Sequence, residues 1–103
     1  MTKNEFLNQG FKEYAAGDYE KAIRSFEKSL GIDPDFDLAI NALAEIYNKK
    51  GDLDQAISYA LRLVELNPED PVAHTALSRY YMRKGLIAEA EEEMAISNRL
   101  AIK

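Results

Sequence analysis

Cysteine and tryptophan are absent from the 103 residues, and histidine occurs once. Without cysteine there is no disulfide framework, no thiolate metal site and no thiol nucleophile. A single imidazole leaves a His-based zinc site or a conventional catalytic triad without its parts. Basic residues are in deficit: 13 Lys and Arg face 18 Asp and Glu, for a net charge of −5. Phosphate binding depends on a basic footprint, so this balance argues against a nucleic-acid partner. No apolar run approaches the ~18–20 residues of a membrane span. The opening MTKNEFLNQGF carries charged and amide residues where a signal peptide carries its apolar stretch, so a cytoplasmic protein without membrane attachment is expected. What remains is an apolar share of 47% and a charged share of 30%, enough to build one folded domain over residues 1–103.

The few glycines and prolines fall in step. Gly17, Gly51 and Gly85 are 34 residues apart, as are Ala22, Ala56 and Ala90. Pro34 and Pro68, Asp18 and Asp52, Leu43 and Leu77, and Tyr47 and Tyr81 keep the same interval. The chain is an array of three registers, near 3–36, 37–70 and 71–103.

Each register reads as two helices. Ile40, Leu43, Ala44 and Tyr47 fall at i, i+3, i+4 and i+7, one apolar stripe of a helix that stops at Gly51. Asp52 with Gln55 has the spacing of a capping box for a second helix carrying Ala56, Ile57, Ala60, Leu63 and Val64. Asp70-Pro71 supplies an N-cap and a first-turn proline for the next. Six helices are predicted, near 4–16, 20–32, 37–50, 54–66, 71–84 and 87–101. Ala22, Ala56 and Ala90 are small where the two helices of a pair approach closely.

The period, the glycine turn, the alanine five residues later and the closing Asp-Pro or Asn-Pro resemble the tetratricopeptide repeat. The pattern runs through YAAGDYEKAIRSFEKSLGIDP, IYNKKGDLDQAISYALRLVELNP and YYMRKGLIAEAEEEM. The resemblance implies an all-α, right-handed α-solenoid of three helix-turn-helix repeats. Three positions depart from it: His74 stands where the family favours a large aromatic, Leu86 replaces the capping acid, and Ile102 replaces the closing proline.

No sequence signature of an enzyme is present: HExxH, GxSxG, P-loop and dinucleotide motifs are all missing. His74 shares its repeat position with Phe6 and Ile40 and reads as a packing residue. Glu89, Glu91, Glu92 and Glu93 lie early in a helix, point in different directions and read as a solvated face, without metal or cofactor. The resemblance implies instead a non-enzymatic module that binds a protein or peptide ligand along a groove formed by the first helix of each repeat. Its candidates are Leu7, Phe11 and Tyr14; Asn41, Glu45, Asn48 and Lys49; and Thr75, Arg79, Met82 and Arg83, with Asn4, Leu38 and Val72 on the same faces. The first three, at helical spacing, serve either a groove or the core. Arg79 and Arg83 share a face and suit a ligand carboxylate, or simply solvent. With Lys49 and Lys84 they form a local cluster of positive charge. Co-chaperones of this family that grip the C-terminal carboxylates of heat-shock chaperones use Lys, Asn, Asn, Lys and Arg. The corresponding positions here hold Leu7, Phe11, Ala42, Val72 and Ala76, so that clamp is absent.

The two ends of the array differ from its middle. Ile23 and Ile57 become Glu91, and Leu30 and Val64 become Asn98; at the other end Ala39, Leu43 and Ile46 correspond to Glu5, Gln9 and Lys12. Polar residues at these positions are expected of capping faces with no further repeat packed on them. Met94, Ile96, Leu100 and Ile102 remain on or near the last helix. They describe either a frayed terminus or, as an alternative function, a self-assembling scaffold that forms homo-oligomers through this helix.

Overall fold

A computed structural model of the chain describes residues 1–102; Lys103, the last residue of the third register, lies outside them. Six α-helices follow one another: α1 (Lys3–Ala15), α2 (Tyr19–Ile32), α3 (Asp37–Lys50), α4 (Leu53–Leu66), α5 (Pro71–Lys84) and α6 (Ile87–Ile102). The helix ends lie within one residue of those the sequence predicts, and no strand occurs among the described residues. Three helix-turn-helix repeats stack into an α-solenoid with extents of 39 × 27 × 18 Å.

The turn within each repeat is built the same way. Gly17, Gly51 and Gly85 have φ of 82°, 82° and 87°, the left-handed conformation that glycine adopts without a Cβ clash. Each donates its N–H three residues back, and the next residue donates five residues back: Asp18 to Glu13, Asp52 to Tyr47 and Leu86 to Tyr81. That pair of bonds is the Schellman closure, which satisfies carbonyls left over at a helix end. Asp18 and Asp52 then cap α2 and α4 by accepting from the N–H three residues on. Leu86 keeps the backbone bond, its carbonyl accepting from Ala90, but has no side-chain oxygen to cap with. At the start of the chain Thr2 and Glu5 form a reciprocal capping box, a signal present in the sequence and not singled out there.

Burial follows the stripes. Leu7, Ala22, Ile23, Phe26, Leu43 and Ile46 form a core shared by α1, α2 and α3. Ala44, Ala56, Ile57, Leu77 and Tyr80 form its counterpart among α3, α4 and α5. Each layer therefore takes the first helix of the following repeat into its core. Helix α6 contributes little to the interior: Ala90 and Ser97 are buried, Ile96 and Leu100 are half-buried, and Met94 and Ile102 are exposed.

Ala22, Ala56 and Ala90 are completely buried, as their role at close helix contacts requires. A tighter contact occurs at Gly10, where a Cβ would meet three ring atoms of Phe26 at 2.4–2.9 Å. The equivalents of this pair are Ala44 with Ala60, and Ser78 with Met94. The first-helix position is small in every repeat, while its partner varies from Ala60 to Phe26. Between repeats the stack is tied by a recurring ion pair, Lys50 with Glu20 and Lys84 with Asp54. The register places Ala16 and Ala88 at the remaining equivalent positions.

Among the described residues, no helix is long and apolar enough to cross a membrane.

Candidate functional site

Helices α1, α3 and α5 stand side by side, each turned away from its own partner on one face. The 34-residue period puts equivalent residues in rows across this face. Phe11, Glu45 and Arg79 form one row, Tyr14, Asn48 and Met82 a second, and Leu7, Asn41 and Thr75 a third.

The first row has two different ends. Arg79 Nη2 donates to Glu45 Oε1 at 3.0 Å, and the Tyr80 hydroxyl donates to the same oxygen at 2.7 Å. Tyr80 is fully buried, so Glu45 supplies the partner its hydroxyl requires. Burial first, then the bond and charge of Glu45, push the Tyr80 hydroxyl far above the usual phenol range. Arg83 Nη1 donates to the Asn48 carbonyl at 2.6 Å and also to its side-chain oxygen. The two arginines share a face as their spacing predicts, but both reach across to α3. Arg79 is thus already paired with a carboxylate, while Arg83 meets only neutral acceptors. Lys49 and Met82 are exposed beside them, and Lys49 has no ion pair among the described residues.

At the other end Phe11 has no such neighbour. It is 46% exposed and meets Phe26 edge-on, with ring centroids 5.2 Å apart. Beside it a cleft of about 220 Å³ opens between α1 and α3, lined by Phe11, Tyr14, Phe26, Asn41, Ala42 and Glu45. Tyr14 stacks on Tyr19 at 5.4 Å, which holds its ring at the cleft wall. Gly10 is what lets the Phe26 ring reach this cleft from α2. The smallest residue of positions 10, 44 and 78 paired with the largest of positions 26, 60 and 94 was the available signal for it.

Two candidates leave the groove. Leu7 is buried in the first core, because its side of α1 meets α2 and α3. Thr75 bonds to the Pro71 carbonyl at 2.9 Å and to the Ser97 hydroxyl at 2.6 Å, which ties it to α6. Asn41, the remaining member of that row, is exposed on the groove face.

The lone histidine lies elsewhere. His74 is buried at the position that Ile40 fills in the second repeat. Its Nε2–H donates to the Pro68 carbonyl at 2.7 Å, and Nδ1 faces Glu93 Oε2 at 2.6 Å. Both nitrogens face acceptors, an arrangement that suits imidazolium paired with carboxylate. Burial lowers the His74 pKa, but the bonds to Glu93 and Pro68 and the charges of Glu93 and Asp70 outweigh it and raise the value above 6.5. Glu93 thus leaves the solvated face that its sequence neighbours share. No group of three or more acidic or histidine side chains is gathered to hold a metal among the described residues.

The profile of the tetratricopeptide repeat matches residues 13–80, more than half of the chain. No match to the sequence is found among curated proteins. Several solved structures share the shape. The second TPR of Spaghetti (RPAP3), bound to the HSP90 peptide SRMEEVD, superposes with a TM-score of 0.86 at 18% identity, over 97% of this chain and 93% of that one. MamA gives 0.92 at 18% identity, over 97% of this chain and 58% of its own. The Yersinia enterocolitica type III secretion chaperone SycD, in complex with a peptide of the translocator YopD, gives 0.86 at 22% identity, over 94% and 74%. At these identities the likeness is one of fold.

Proposed function

From the premise that the chain belongs to the tetratricopeptide repeat family, we propose that it is a non-enzymatic protein-interaction module. It takes a peptide segment across the exposed faces of α1, α3 and α5. The observation that carries this reading is the cleft beside Phe11: an aromatic ring half in water, next to a second ring and an apolar floor, ringed by Asn41 and Glu45. An exposed aromatic that walls a cleft gains most by covering its apolar area with a partner side chain. Asn41, Glu45, Asn48 and Lys49 supply the polar rim, and Met82 a compliant apolar patch further along. Arg79 and Arg83, already engaged by α3, orient the ligand and set its salt response; they do not anchor it. Spaghetti and SycD, both solved with peptides, support the use of this fold for peptide binding.

Selection of a random decapeptide display library on the whole chain, followed by anisotropy titration of the enriched peptides, tests this. Phe11→Ala should weaken their binding about tenfold or more, the loss typical of a buried aromatic anchor. Peptides that bind the folded Phe11→Ala protein undiminished would place the binding surface elsewhere.

A further inference from the structure

A second cleft, of about 170 Å³, opens between the N-terminal turns of α3 and α5. Leu63 and Ala73 are buried at its floor, while Leu38 and Val72, the same repeat position in two neighbouring helices, stand 54% and 71% exposed at its walls. Asp37 and Asp70 occupy its rim, and neither has an ion pair among the described residues. One Asp70 oxygen accepts from the Val72 N–H at 2.9 Å, which leaves the other open.

Two helix N-termini contribute positive potential here, about half a charge each. Two full carboxylate charges exceed that, and the His74 imidazolium that Asp70 also feels is neutralised by its own partner Glu93, so the cleft is net negative over an apolar floor. The groove-facing arginines offer no internal counter-ion, since Glu45 and Asn48 hold them at the other end of the helices. A long cationic side chain matches this pattern: its methylene stem covers apolar wall while its head reaches carboxylates. Asn41 lines both clefts. Its amide can both donate and accept, as the backbone of a strand laid between two pockets requires.

Resting on the peptide-binding reading above, we propose that the cleft between α3 and α5 receives a lysine or arginine of the bound segment, whose apolar anchor sits at Phe11. Neighbouring helices lie about 10 Å apart, and this cleft sits about six helical residues, roughly 9 Å, nearer the N-termini than the one beside Phe11; at ~3.3 Å per extended residue the two side chains are therefore about three to five residues apart.

A decapeptide display library with a fixed central Trp, selected on the whole chain and on Asp37→Asn/Asp70→Asn, tests the proposal. Asparagine keeps the cap at residue 70 while removing the charge. The parent should enrich Lys and Arg over Asp and Glu about three- to fivefold at three to five positions from the Trp, the scale of exposed ion pairs. The double variant should show no such preference; if it fails to fold, Asp37→Asn alone should show a reduced one. Selected peptides that depend on Phe11 but carry no basic preference, or an acidic one, would overturn this inference and leave the groove reading standing. Peptides indifferent to Phe11→Ala would overturn both. Self-association abolished by Val72→Asp would put a second copy of the chain in the cleft and overturn the inference as well.

Discussion

Phe11, Glu45 and Arg79 occupy one position of the 34-residue repeat, yet at that level the α1–α3 side of the groove is open and the α3–α5 side is closed. On the closed side Glu45 and Arg79 are complementary and pair across the helices, with Tyr80 beneath them sharing the carboxylate. On the open side Phe11 offers nothing for Glu45 to bind, so a cleft remains. The scaffold delivers the three Cβ atoms to equivalent places. Whether a side chain is available to a ligand depends on the residue one repeat away.

The largest effect is expected on the open side. Gly10→Ala would drive a methyl into the Phe26 ring, which is buried and lines the cleft, and should cost about 2 kcal/mol by overpacking. Helix propensity alone would make the same change stabilising by about 1 kcal/mol. Thermal denaturation therefore separates the two by sign, and a raised Tm would mean that α1 and α2 do not approach this closely.

A somewhat smaller loss is expected from Glu45→Ala on the closed side. It leaves the buried Tyr80 hydroxyl without an acceptor and should cost about 1–2 kcal/mol. Glu45→Gln retains an oxygen for Tyr80 and should cost less. Equal losses in denaturant titrations would show that the half-exposed Arg79 pair, and not Tyr80, carries the effect.

The smallest effect extends the comparison to another row, Phe6, Ile40 and His74. Folding raises the His74 pKa, so the stability it adds is fully present below 6.5 and is lost as pH rises through the raised value. Tm should fall between pH 6 and pH 9, and His74→Ile, which restores the residue of the second repeat, should flatten that slope. A slope unchanged in His74→Ile would assign it to other groups.

The repeats, the helix ends and the glycine turns were legible because each rests on local chemistry. A left-handed glycine, an aspartate cap and an apolar stripe act within a few residues of themselves. The groove was legible only in part. Leu7 and Phe11 are one helical turn apart and look alike in the sequence, but Leu7 is buried in the core with α2 and α3 while Phe11 is half-exposed. Thr75 reads as a groove residue until α6 brings Ser97 to it. Arg79 and Arg83 read as unoccupied cations because their partners lie 34 and 35 residues away.

Periodicity and capping are short-range properties, so the number of repeats, the order and length of the helices and the apolar stripe of each are set along the chain. Which polar side chains are already satisfied is set by how the helices stack. Glu45 closes on Arg79, His74 on Glu93 and Lys50 on Glu20, while Phe11 and the pair Asp37 and Asp70 are left without such partners. Availability to a ligand is a property of contacts between repeats, and those contacts exist only once the helices have stacked.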